Sequence, residues 1–157
     1  MNQEYTLIKA PRLIDVQTSE VIKDAAVLFK ETKIVSAGPA ASLNLPTEAN
    51  IKTLEYPNKT IMPGLIDCHV HLISLGDGRA GDDLNLLPDE ILTLQAAKNA
   101  KLHLQSGVTT VRDCGAKNQT TFMLRKSAEM GITDTPRLIL TGRPIAIIGG
   151  HLSYFGS

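Results

Sequence analysis

The stretch Thr60-Ile-Met-Pro-Gly-Leu-Ile-Asp-Cys-His-Val-His-Leu72 decides the reading of this chain: an apolar run that ends in His69-Val70-His71. In an extended strand, alternate side chains share a face and lie about 6.5–7 Å apart along the axis, so the two imidazoles point the same way. Two such rings can reach one cation. Imidazole suits zinc, iron, copper and nickel, and a catalytic zinc typically takes about three protein ligands and leaves one position open. The pair is therefore half of a site. On spacing alone, two ordinary surface or core histidines are the commoner explanation. Placement favours the metal: Pro63-Gly64 breaks the chain ahead of the run, and the histidines fall at its carboxyl end, where ligands gather in barrels and open parallel sheets.

Downstream the chain alternates between two kinds of pattern. Residues 73–87 form a loop rich in Gly and Asp, expected on the active-site side of such a strand. Gly76, Gly78 and Gly81 lack the spacing and the lysine of a phosphate cradle, so the loop reads as a connector or lid, with Asp77, Asp82 and Asp83 solvated. Pro88 with Asp89 and Glu90 starts a helix, and Ile91, Leu94, Ala97, Ala100 and Leu104 recur at helical spacing until Gly107 offers a left-handed stop. His103, near that helix end, is expected to complement the dipole rather than to act as a ligand or base.

A strand over 109–113, a helix over 118–130 stopped by Gly131, and a strand over 137–141 follow. Strand, helix, strand, helix, strand predicts parallel pairing through right-handed crossovers. Arg112 and Asp113 face opposite ways on their strand. Two roles are open to Asp113: orienting a metal ligand or a substrate amine, or an internal salt bridge or bond to loop amides. Gly149-Gly150-His151 closes the segment, and glycines beside a histidine fit either an exposed turn or a ring brought close to a bound ligand.

Upstream, residues 5–9, 12–15, 25–29, 33–36 and 51–55 read as short strands, with a hairpin turn at Lys30-Glu-Thr-Lys33. They predict a small β domain ahead of the His-x-His strand. Basic and acidic residues balance at 16 each, which gives no attraction toward nucleic acid or an anionic membrane. Cys68 and Cys114 are too few for a disulfide framework and read as reduced core thiols of a cytoplasmic protein; alternation turns Cys68 away from the histidine face. No export signal and no run of about 18 apolar residues is visible.

Three segments, in order, carry a family resemblance. Pro63-Gly-Leu-Ile-Asp-Cys-His-Val-His71 resembles the metal-ligand strand of the amidohydrolase superfamily, and Gly107-Val-Thr-Thr-Val-Arg-Asp-Cys-Gly115 resembles its second barrel strand. Thr141-Gly-Arg-Pro-Ile-Ala-Ile-Ile-Gly-Gly-His151 resembles the end of the third strand in imidazolonepropionase-like enzymes and related Xaa-Pro dipeptidases and carboxypeptidases. Ile148 stands where that branch has Thr, and Leu152-Ser-Tyr-Phe follows where Gly-Asp is common.

The resemblance implies an α/β fold: the N-terminal part, about three strands, of a TIM-like (β/α)8 barrel over residues 61–157, preceded by a small β-sandwich domain over residues 1–60. A whole barrel takes about 250 residues, so at 157 residues the barrel is incomplete and the chain is expected to be part of a longer enzyme, inactive or nearly so alone. The sandwich would be completed by a later segment.

The reaction implied is hydrolysis of an amide or other C–N bond by a water activated on a divalent metal, zinc being favoured, as one or two ions. Heterocycle deamination is the neighbouring alternative. A non-catalytic assembly protein that reuses part of a barrel is the alternative from another class. His69 and His71 become the metal ligands, and His151 a substrate contact. Asp113 is a supporting residue, as is Asp67, which alternation places on the histidine face either to brace the site or to be satisfied by backbone donors. The remaining ligands, namely a carboxylated lysine or a glutamate and two histidines, and an aspartate for proton transfer, are expected beyond Ser157. The implied partners are a small-molecule or dipeptide substrate and a possible second copy joined through open sheet edges; no nucleic acid and no membrane are implied.

Overall fold

The computed structural model describes residues 4–47, 49–77 and 81–155 of a mixed α/β chain. Gly78 and the side chain of Asp82 lie outside the described residues. Two compact units divide the chain, Met1–Pro63 and Gly64–Ser157. The first extends past residue 60 because Thr60–Ile61 pairs with its sheet, so the run from Thr60 to Leu72 is two strands interrupted at Pro63 rather than one.

The first unit contains β1 (Glu4–Asp15), β2 (Glu20–Lys30), β3 (Lys33–Pro39), β4 (Asn50–Glu55) and β5 (Thr60–Ile61). They form one sheet in the order β3-β2-β1-β4, with β5 also on β1. β1–β2 and β2–β3 are antiparallel hairpins, whereas β4 and β5 run parallel to β1. The two strands expected at 5–9 and 12–15 are one. Pro11, which has no N–H to give, sits between the pairs Ala10↔Ala25 and Arg12↔Lys23, and on the other side between the end of β4 and the start of β5, where no ladder bond is asked of it. Lys30↔Lys33 closes the β2–β3 hairpin on Glu31-Thr32, with Glu31 at φ 53°.

Residues 25–28 of β2 are buried on alternate faces: Leu28 and Ala26 pack with Leu7, Ala40 and Leu43, while Ala25 and Val27 pack with Leu13, Phe29 and Ile61. One face of this sheet is thus covered at its middle by the segment at Ala40 and Leu43, while the other cluster is built from the side chains of β1, β2 and β5 themselves. Among the described residues the unit forms a single sheet.

The second unit is β6 (Leu65–Val70), α1 (Asp89–Gln105), β7 (Val108–Asp113), α2 (Thr120–Glu129) and β8 (Arg137–Leu140), with the strands parallel in the order β6-β7-β8. Its core joins Val70 and Leu72 to Leu92, Ala96 and Ala100 of α1, Val111 of β7 and Leu124 of α2. The expected α1 stripe needs correction. Leu92, Ala96 and Ala100 are the buried residues, and Ile91 and Leu94 are exposed. Apolar residues run most of the way round this helix, so periodicity does not select a face; the small Ala96 and Ala100 do, because they let the helix approach the sheet closely. Gly107, at φ 89°, ends α1 in the left-handed conformation, and its carbonyl accepts the Leu65 N–H at 2.9 Å.

The opposite face of this sheet is bare among the described residues. Arg112 pairs with Ile139, and both are exposed, as is Ile66 at 67%. Parallel sheets are ordinarily covered on both faces. The apolar segment after β8 is bare as well, with Ile145 and Ile148 fully exposed.

Candidate metal centre

β6 delivers its histidines through a break in alternation. Asp67 pairs with Val111 and Val70 with Asp113, so three residue steps on β6 match two on β7: one extra residue is bulged out between Asp67 and Val70. Val70 and Leu72 enter the core under α1, while His69 and His71 stay together, their ring centroids 5.4 Å apart and their planes at 72°. The bulge has a cost for the expected layout. Asp67 turns to the α1 side, where one carboxylate oxygen accepts the His69 N–H at 3.1 Å and the other lies 3.9 Å from His103 Nε2. Strict alternation would have put Asp67 beside the imidazoles.

His71 is held in one orientation. Its Nδ1 lies 3.0 Å from the Gly115 carbonyl oxygen, which can only accept, so Nδ1 carries the proton and Nε2 presents its lone pair. This is the arrangement in which an imidazole binds a metal, its other nitrogen fixed by a backbone acceptor. His69 is exposed. No third His, Cys, Asp or Glu joins the pair among the described residues.

Asp113, fully buried at the end of β7, accepts the Leu72 N–H at 3.0 Å. Its backbone carbonyl receives both the N–H and the hydroxyl of Thr141, at 3.2 and 3.0 Å, and so ties β7 to the end of β8. Burial raises the Asp113 carboxyl above its ordinary range, and the Leu72 N–H, the Thr121 hydroxyl and the nearby His71 oppose that rise. Cys68, expected in the core, is exposed, and the half-buried Cys114 thiol points at its carbonyl at 3.7 Å; both thiols are free.

His151 lines a cavity of about 440 Å³ together with His71, Ser74, Asp83, Leu84 and Tyr154. It projects, exposed, from a turn with Gly149 at φ 75° and Leu152 at φ 60°. Gly81 contributes space rather than phosphate binding: a side chain there would strike the Tyr154 hydroxyl. Lys117 fixes the cavity wall by donating to the Asn85 and Leu87 carbonyls at 2.9 and 2.8 Å. Neither Lys117 nor Asn99, which holds the chain just after His71, was signalled by periodicity or motif, since a polar residue that serves backbone carbonyls has no spacing of its own.

Residues 60–147 match the amidohydrolase family. Imidazolonepropionase of Rhizobium rhizogenes is 24% identical over 159 residues, which cover 86% of this chain and 38% of that protein. Imidazolonepropionase of Brucella abortus (strain S19) is 43% identical over 58 residues, 36% of this chain and 14% of that protein. A Xaa-Pro dipeptidase with methionine bound in its active site is similar in structure, with a TM-score of 0.77 and 26% identity over 94% of this chain and 36% of that one. A prolidase complexed with N-methylphosphonate-L-proline gives a TM-score of 0.76 at 25% identity, over 94% and 34%. The matched parts thus span at most 38% of the length of these relatives.

Proposed function

This chain belongs to the amidohydrolase family, and from that membership we propose that it carries the first two metal ligands, His69 and His71, of a hydrolase that cleaves an amide or another C–N bond. The observation that carries this reading is the pair itself. Two imidazoles lie 5.4 Å apart at the carboxyl end of a parallel strand, one of them locked with Nε2 free. Nitrogen donors of this kind fit zinc, as one or two ions, and when bound the ion supplies Lewis acidity toward a water and the scissile carbonyl.

The chain's own residues would do the rest of what is present. Gly115 fixes the His71 tautomer, Asp113 anchors the peptide after it, and His151 shares a cavity with His71 that is large enough for a dipeptide or a cyclic amide. His151 is proposed to contact substrate there; Asp67 acts from the α1 side, through the His69 N–H. Imidazolonepropionases and Xaa-Pro dipeptidases among the relatives support a small-molecule or dipeptide substrate. We further propose that Gly64–Ser157 is the first third of a (β/α)8 barrel, that the first unit is one layer of a β-sandwich, and that the protein works in the cytoplasm.

The bare sheet face favours a second reading, an assembly module that pairs through Ile66 and Ile139. Metal content and hydrolysis of dipeptides, imidazolones and nucleobases, measured on this chain and on one extended to full barrel length, separate the two. Hydrolysis that appears only in the extended chain, with stoichiometric metal, is the expected outcome. An extended chain that binds no metal and cleaves nothing contradicts it.

A further inference from the structure

Leu72, the residue after His71, has both of its backbone groups taken by side chains from other elements. Its N–H donates to Asp113 Oδ1 at 3.0 Å, and its carbonyl accepts from Asn99 Nδ2 at 2.8 Å. The same Asn99 nitrogen donates to the Ser74 carbonyl at 2.6 Å, and Gln95 Nε2 donates to Asn99 Oδ1 at 3.1 Å, which fixes the way the amide faces. The Asn99 backbone carbonyl in turn accepts from His103 Nδ1 at 3.0 Å, and His103 Nε2 reaches toward Asp67. A single side chain of α1 therefore grips the chain just after the histidine pair at two carbonyls.

The grip lies where the sheet no longer provides one. β6 ends at Val70, so His71 and the residues after it have left the ladder. Beyond the turn bond from the Ser74 N–H to the His71 carbonyl at 3.0 Å, the chain here is held laterally by Asp113 and Asn99. We infer that Asn99 is a positioning residue for the histidine pair: by holding the Leu72 and Ser74 carbonyls, it keeps the His71 ring on Gly115 with Nε2 directed outward. This rests on the metal reading only for its consequence; the clamp itself is a property of the metal-free chain.

The test uses the full 157-residue chain with ¹⁵N-labelled histidine, at a pH about two units above the ordinary imidazole pKa of ~6.5. In the wild-type chain His71 should show the Nδ1-protonated tautomer. Asn99→Leu, and Asn99→Asp, which keeps the size but cannot donate, should turn this into a tautomer mixture and weaken Co²⁺ binding by roughly tenfold. Thr93→Val is the control, because it removes a hydroxyl of the same helix that serves the Asp89 and Thr120 carbonyls, away from His71. It should lower the thermal midpoint and leave both readouts unchanged. Asn99 variants that lose thermal stability as Thr93→Val does, with the His71 tautomer intact, would overturn the inference. Should the wild-type chain show no Co²⁺ effect at His69 or His71, the metal reading fails, and the tautomer alone decides the clamp.

Discussion

The two units hold their strand ends in different ways. In the first, β1, β2 and β3 are joined by hairpins whose register is set by turns a few residues long: Glu31-Thr32 closes one, and the Asp15 carboxylate, accepting the Gln17 and Thr18 N–H groups, closes the other. In the second, parallel strands are joined by whole helices, and no turn ties one strand end to the next. Side chains replace the turns. Asp113 and Asn99 hold the end of β6, Thr141 holds the end of β8, and Lys117 holds the loop wall. In this parallel unit the side chains that fix the strand ends therefore sit at the strands' carboxyl ends, beside the proposed metal ligands.

The sharpest way to break this comparison is Asp113→Ala. It strands the buried Leu72 N–H and opens space in the core, and should cost on the order of 2–4 kcal/mol. Native-state hydrogen exchange should show the loss in the second unit, with protection in β1 and β2 unchanged; equal loss in both would mean that the units are not separate in this respect. A smaller effect is expected for Gly107→Ala. At φ 89° a side chain is strained, at a cost of about 1 kcal/mol or more, read as a lower urea midpoint for the second unit.

Asp113→Asn sharpens the pH dependence. The folded Asp113 carboxyl is raised above its ordinary 3.8, chiefly by burial, so the folded state holds that proton more tightly than the unfolded one. The favourable term is present below pH 3.8 and is lost as pH rises through the folded value. The amide variant should lose this part of the pH dependence, seen as a flatter plot of urea midpoint against pH. The smallest effect belongs to Asp15→Ala. The Gln17 N–H leads in holding this exposed carboxyl below its ordinary 3.8. Its contribution is present above that value and lost as pH falls through the folded one, so the variant should differ least from wild type in strong acid.

Much of this architecture was legible from residues 60–157, because strand and helix periods alternate cleanly and Pro88, Gly107 and Gly131 punctuate them. The histidine pair was legible for the same reason, as a period-two signal at a strand end. Three features were not. The strands expected at 5–9 and 12–15 are one, because Pro11 lies in the gap between β4 and β5 where a strand tolerates it. The bulge that turns Asp67 from the histidine face toward His103 depends on how β6 lies against β7, which no local pattern encodes. The α1 face was chosen by closeness of approach at Ala96 and Ala100 rather than by hydrophobicity.

Titration of the 157-residue chain with zinc, followed through the ring nitrogens of His69 and His71, decides whether the two rings share an ion. On the proposed half-site, the two imidazoles should shift together, with one ion per chain and weak affinity. Shifts confined to one of the two rings, or none at either, would show that the pair does not share an ion, and tight stoichiometric binding would show that it is not half of a site.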